Sequence, residues 1–198
     1  MDTLGAIIFE GFELLDVFGP LEAFGHLTSS GKCQIIVVAE RIGGVASAQG
    51  PKAIADYDFA NCPQLQMLLV PGGLGTRRGV ENRELLEFLR RRSAQADLVM
   101  SVCTGAGLLA RAGLLDGRRA TTNKRFFEWP VSQGPRVNWV RHARWVEDGK
   151  FVTSSGISAG IDMALAVIGQ RFGRESAEAI AAAMEYERHR DPDRDPFA

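Results

Sequence analysis

The sequence has no large excess of charge, no long apolar run and few cysteines. Its 198 residues carry a formal net charge of −1, which gives no electrostatic basis for binding nucleic acid or an anionic membrane. No window is apolar over a length that would span a bilayer, and Met1-Asp2-Thr3 lacks the basic segment that opens a signal peptide. We therefore expect a cytoplasmic protein without nucleic-acid or membrane partners.

The three cysteines are Cys33, Cys62 and Cys103. An odd number at no metal-ligand spacing predicts free thiols in a reducing compartment and no metal site. The length predicts one domain, which we place at residues 1–188. Residues 189–198 are polar and rich in proline, so we expect an irregular C-terminal tail.

Short apolar runs alternate with segments of helical spacing along the chain. The runs that predict buried strands lie at 4–9, 33–39, 66–70 and 98–102. Helical spacing follows at 21–27, 82–95, 106–112 and, ended by Pro130, at 123–129. This alternation predicts an α/β fold, a single-domain parallel-sheet sandwich with helices on both faces.

Cys103 occupies the point where the fourth of these strands ends and a helix begins. Gly105, two residues later, allows a tight turn and close packing of the helix on the sheet. The pattern predicts a nucleophile elbow that carries a thiol. At a helix N-terminus we expect unpaired N–H groups and the helix dipole to lower the pKa of this thiol. The alternative is a small buried apolar residue, as most free cysteines are, but the position favours a reactive one.

Polar and small residues follow the predicted strands where each strand ends. In a parallel sheet these ends lie at one edge, where ligands bind, so we expect the residues to converge on one site. They are, in chain order, Asp16, Gly72, Gly73, Cys103, Thr104 and the segment 154–156.

Each of these groups has a chemical interpretation and a structural one. Asp16 could move protons for a reaction at Cys103, or it could cap the helix that follows it. A nearby carboxylate would raise the pKa of the thiol, against the effect of the helix terminus, and the two groups would titrate together. The N–H groups of Gly72, Gly73 and Thr104 could bind developing negative charge, and the Thr104 hydroxyl could contact the sulfur. For the two glycines the alternative is a simple tight turn.

Several of these motifs resemble the ThiJ/PfpI superfamily. The resemblance covers essentially the whole chain and is strongest to the branch of isonitrile hydratases and the amidase-like domains of AraC-type regulators. The segments that carry it are Ser-Val-Cys-Thr-Gly at 101–105, Ala-Gly-Leu-Leu-Asp-Gly-Arg-Arg-Ala-Thr-Thr at 112–122, Gly-Ile-Ser-Ala-Gly-Ile-Asp at 156–162, Leu-Asp-Val-Phe-Gly-Pro at 15–20 and Val-Pro-Gly-Gly at 70–73.

This resemblance implies a flavodoxin-like fold similar to class I glutamine amidotransferases, and a homodimer. It implies that Cys103 is the nucleophile and Asp16 its acidic partner. In the hydratase branch the thiolate attacks the carbon of a small isonitrile, and water releases an N-substituted formamide from the resulting thioimidate. Such an enzyme is a lyase that acts on a small molecule and needs no cofactor.

Three positions depart from the patterns of the superfamily. Asn123 stands where a histidine is frequent, which disfavours a glyoxalase or deglycase. Thr104 replaces the histidine of the protease-like branch, which disfavours a peptidase. Phe18 is larger than the threonine frequent in hydratases, which would narrow or reshape the pocket. The alternative function from another class is a non-catalytic stress or redox sensor in which Cys103 is oxidised reversibly.

Overall fold

Eleven strands and seven helices form in the computed structural model, which describes residues 1–198. The strands are β1 (Asp2–Ile7), β2 (Cys33–Ala39), β3 (Gly43–Ala46), β4 (Lys52–Ala55), β5 (Tyr57–Asp58), β6 (Met67–Val70), β7 (Leu98–Ser101), β8 (Arg119–Ala120), β9 (Asn138–Trp139), β10 (Trp145–Asp148) and β11 (Phe151–Ser154). The helices are α1 (Leu14–Gly25), α2 (Thr76–Gly79), α3 (Arg83–Gln95), α4 (Gly105–Arg111), α5 (Glu128–Gln133), α6 (Ala159–Phe172) and α7 (Arg174–Ala183).

Seven strands form one sheet in the order β10-β11-β7-β6-β1-β2-β5. Neighbouring strands are parallel except β10, which runs antiparallel to β11. From β1 the chain adds strands first on the β2 side and then on the β6 side. The strand order therefore reverses beside β1, and in such sheets the crevice beyond the carboxyl ends at the reversal is the usual ligand site.

An apolar cluster covers each face of this sheet. Along β6, Met67 and Leu69 belong to one cluster and Leu68 and Val70 to the other, because successive side chains of a strand point to opposite faces. The first cluster packs under α1, α6 and α7, and the second under α3 and α4. The predicted α/β fold with a mostly parallel sheet is confirmed.

Helix α1 begins at Leu14, before the predicted start at residue 21. Glu13 occupies the N-cap position, and Asp16 lies in the first turn. The interpretation of Asp16 as an N-cap is therefore wrong. Pro20 lies inside the helix, and because proline has no N–H, the carbonyl of Asp16 loses its helical hydrogen bond there.

The predicted helix at 123–129 is also placed wrongly, since α5 runs from Glu128 to Gln133 and contains Pro130. Pro130 is in the first turn of α5, where the N–H groups have no helical acceptor, so proline is tolerated.

The C-terminal tail is irregular but packs against the domain. Arg144 donates its backbone N–H to the Pro192 carbonyl at 2.7 Å, and the Asp195 N–H donates to the His142 carbonyl at 2.8 Å. The Asp195 carboxylate is buried, 3.9 Å from the Lys124 ammonium. The domain boundary at residue 188 stays a prediction. None of the helices is both long and apolar enough to cross a membrane.

A buried ion pair joins α6 to the segment that leads into β10. Arg144 donates from Nε at 2.8 Å and from Nη2 at 2.6 Å to Oδ2 of Asp162. Oδ1 of Asp162 accepts the backbone N–H of His189 at 2.8 Å. Both charged side chains are almost completely removed from solvent, so each depends on the other for compensation of its charge.

Asp162→Ala leaves the Arg144 guanidinium buried without its counter-ion. We expect this to lower the free energy of unfolding by about 3 to 5 kcal/mol in urea titrations. The matched control is Asp116→Ala, which removes the partner of the exposed Arg136 and should cost about 0 to 1 kcal/mol. Equal losses in the two variants would contradict this account of the buried pair.

Candidate active site

Cys103 lies between β7 and α4 with a φ of 56°. A non-glycine residue with this backbone conformation is uncommon and is held by its surroundings. The Cys103 N–H faces the carbonyls of Ser154 and Ser155, each at 3.2 Å, and its carbonyl accepts the Thr122 hydroxyl at 2.8 Å. At Gly105 a Cβ would overlap the backbone of β6 and of the loop after it. These contacts fix the predicted strand-turn-helix geometry.

Asp16 reaches this turn from the first turn of α1. Its side chain is fully buried, and Oδ2 accepts the Gly72 N–H at 2.9 Å. Oδ1 has no hydrogen-bond partner of standard geometry, although the Cys103 thiol is close enough to lower the pKa of the carboxyl. A Cβ at Gly72 would lie 3.0 Å from Oδ2 and 2.5 Å from the Thr104 nitrogen. Glycine at this position therefore lets the carboxyl and the elbow approach each other.

Burial and mutual proximity dominate the pKa values of Cys103 and Asp16. Burial, followed by the charge of Asp16, raises the pKa of Cys103 well above its ordinary value. The Thr104 N–H and the Asn123 side chain lower it by less. Burial likewise raises the pKa of Asp16, against the effect of the Gly72 N–H. Desolvation and the carboxylate therefore outweigh the helix N-terminus, whose expected lowering of the thiol pKa is the smaller of the two opposing effects.

The Thr104 hydroxyl contacts Gly73, in the loop after β6, and Thr76, in α2. It accepts the Gly73 N–H at 3.1 Å, and it lies 3.3 Å from the Thr76 hydroxyl. Gly72 and Gly73 thus each donate their N–H to a side chain of the site. Donation by these N–H groups to developing negative charge stays a prediction.

Asn123 is a site residue for which sequence reasoning assigned no role. Its Oδ1 accepts the Phe126 N–H at 3.0 Å, and its side chain interacts with the Cys103 thiol. At Gly156 a Cβ would lie 2.6 Å from Asn123 Nδ2 and 2.7 Å from the sulfur, so these atoms enclose one small space. The sequence signal that could have identified Asn123 is its position, because the family resemblance places a histidine there.

The histidines and the other two cysteines lie outside the site around Cys103. No histidine is among the groups that act on the pKa of Cys103, and His26 instead faces Glu22 at 3.7 Å. Cys33 and Cys62 are buried free thiols. No cluster of three or more histidine, cysteine, aspartate or glutamate side chains has the arrangement of a metal site.

A cavity of about 420 Å³ opens beside the ends of β1 and β2, on the side of α3. Its lining includes Ile8, Phe59 and Leu85 but none of the predicted site residues. We place the candidate site at Cys103 because the nucleophile, the carboxyl and the strained turn meet there.

Comparisons with known proteins identify the family of the chain. The model of the DJ-1/PfpI family matches residues 5–170. The isonitrile hydratase of Pseudomonas putida is 35% identical over 92% of this chain and 78% of its own length. The HTH-type transcriptional regulator GbdR of Pseudomonas aeruginosa is 36% identical over 74% of this chain, which corresponds to 39% of the regulator.

A solved structure has the same fold as this chain. A ThiJ/PfpI family protein from Pseudomonas syringae superposes with a TM-score of 0.84 at 29% identity, covering 96% of this chain and 76% of that one. The family match, the similarity to the hydratase and the flavodoxin-like sheet agree, and the chain belongs to the DJ-1/PfpI family.

Proposed function

We propose that the protein is a cysteine-dependent lyase that hydrates a small isonitrile to an N-substituted formamide, without a cofactor. The observation that carries the proposal is the buried carboxyl of Asp16. Its Oδ1 has no hydrogen-bond partner other than the neighbouring Cys103 thiol. The similarity to the Pseudomonas putida isonitrile hydratase supports the choice of substrate class. We extend the proposal to a homodimer on the basis of the family resemblance, and to a cytoplasmic location on the basis of the three free thiols.

The first step uses the proton that the two acidic groups share. Burial disfavours two negative charges in this space, and we assign the reactive form to the pair that carries one charge and holds one proton. With the proton on Asp16, the thiolate of Cys103 attacks the terminal carbon of the isonitrile and forms the S–C bond. Asp16 gives its proton to that carbon, which yields a neutral thioimidate and a carboxylate.

The second step returns the site to its starting state. The Asp16 carboxylate takes a proton from water as the water oxygen bonds to the thioimidate carbon. Asp16 then passes this proton to the nitrogen and takes up the hydroxyl proton as the C–S bond breaks, so that an N-substituted formamide and the Cys103 thiolate are released. One isonitrile and one water are consumed, and the thiol and carboxyl together again hold one proton.

Backbone and amide donors support these steps. The Thr104 N–H and the Asn123 side chain lower the pKa of Cys103, so they favour the thiolate that attacks and later leaves. Gly72 and Gly73 donate their N–H groups to Asp16 and Thr104, so we assign them the role of positioning the carboxyl and the elbow.

A redox-sensing role has less support. Oxidation to sulfenic acid begins from an accessible thiolate. Cys103 is 5% exposed, and burial and the Asp16 charge raise its pKa. The Asp16 carboxyl beside the thiol also favours catalysis, because a sensor needs no proton donor for a substrate.

The proposal predicts that the purified protein converts an aryl isonitrile to the formamide. Chromatography measures the amount of formamide formed over time. Cys103→Ala should reduce turnover to the uncatalysed background because the S–C bond cannot form. Asp16→Asn should lower kcat by about 100-fold to 10,000-fold because proton transfer is lost. No turnover by the wild-type protein with Cys103 confirmed as reduced would overturn the hydratase assignment.

The coupling between the two groups has its own test. Asp16→Asn removes a negative charge that raises the pKa of Cys103. We expect the pH midpoint of Cys103 alkylation by iodoacetamide to fall by about one unit or more. Glu13→Gln is the matched control, because the Glu13 charge acts in the same direction but more weakly. A midpoint that stays constant or rises in Asp16→Asn would contradict the coupling.

A further inference from the structure

Arg77 lies in α2, immediately beyond the glycine loop of the site. Its Nη1 donates to the Thr76 hydroxyl at 3.3 Å, and that hydroxyl lies 3.3 Å from the hydroxyl of Thr104, the residue after Cys103. The charge of Cys103 is close enough to raise the pKa of Arg77. The guanidinium is thus part of the surroundings of the nucleophile.

Aromatic stacking fixes the guanidinium in place. The Arg77 Cζ lies 3.4 Å from the centre of the Trp129 ring and 5.9 Å from that of Phe126. The Trp129 ring is itself packed on α4, where a Cβ at Gly107 would come within 2.8 Å of it. A planar guanidinium stacked on a supported aromatic ring loses little further freedom when it binds a ligand.

This cation has no counter-ion within the chain. None of the ion pairs includes Arg77, and its hydrogen bond to Thr76 uses one of five N–H donors. Burial lowers its pKa, which reflects the cost of removing a cation from water without compensation. A half-buried, oriented and unpaired guanidinium beside a nucleophile is suited to a planar anion.

We propose that Arg77 binds a carboxylate on the substrate, so that the preferred substrates are small isonitriles that carry a carboxylate near the isonitrile carbon. This inference rests on the proposed hydratase function. Water and an isocyano carboxylate then give the corresponding N-formyl amino carboxylate. The carboxylate is unchanged in the reaction, and the bonds that form and break at the isonitrile carbon are those described above.

Isocyanoacetate and its methyl ester test the substrate class, since they differ in the anion. Wild-type protein should show a higher kcat/KM for isocyanoacetate. Arg77→Gln should lower that value by about tenfold to a hundredfold, the effect of one charge-assisted interaction, and lower the value for the ester by a much smaller factor, because the ester lacks the anion. Arg77→Lys should restore part of the loss.

Arg78→Gln is the matched control, because Arg78 is an exposed neighbour that lines the separate cavity. Equal losses for acid and ester would show that Arg77 only supports Trp129 and would overturn the inference.

A second readout separates this inference from the hydratase function. Iodoacetate and iodoacetamide alkylate a thiol with loss of iodide and differ in the carboxylate, and peptide mass spectrometry distinguishes Cys103 from Cys33 and Cys62. Arg77→Gln should lower the ratio of the iodoacetate rate to the iodoacetamide rate at Cys103 by about tenfold. This ratio would support the anion site even if no isonitrile were hydrated. An unchanged ratio, with isonitrile turnover intact, would overturn the anion site alone.

Discussion

The burial of the Cys103 thiol against the Asp16 carboxyl is the interaction on which the rest of the site depends. Two acidic groups in one desolvated space cannot both be ionised without a large cost. Each therefore raises the affinity of the other for a proton, and the pair titrates as one unit. The Gly72 N–H, the Thr104 N–H and Asn123 reduce this cost in part. A nucleophile and a proton donor are thereby kept side by side in a buried site.

The fold creates this pair by bringing together elements far apart in the chain. Asp16 comes from the first turn of α1, Cys103 from the turn after β7, and the glycines between them from the loop after β6. The loop after β11 closes the turn from the other side, through the Ser154 and Ser155 carbonyls. The mostly parallel sheet aligns the carboxyl ends of these strands, and the apolar clusters on both faces hold the strands in register.

The sequence predicts what depends on local pattern and on topology. Apolar runs and helical spacing predict the sheet and its coverage, and the strand-turn-helix pattern predicts the elbow at Cys103. The start of α1 is missed because Gly19 and Pro20 resemble a helix boundary, whereas packing of the helix on the sheet overrides the local signal. The direction of the thiol pKa depends on burial, which single residues do not reveal. The stacking of Arg77 on Trp129 joins residues from two helices, α2 and α5, that are far apart in the chain, and no spacing in the chain indicates it.

The most direct test of the central claim is the titration of Asp16 itself. Carbon-13 NMR of protein labelled at the aspartate carboxyl carbons gives each carboxyl a titration curve, and Asp16→Asn identifies the signal of interest. A shared proton in a buried pair predicts an apparent pKa for Asp16 far above the ordinary value of about 4, with a second inflection as Cys103 ionises. A single transition near 4, without response to Cys103, would contradict the account.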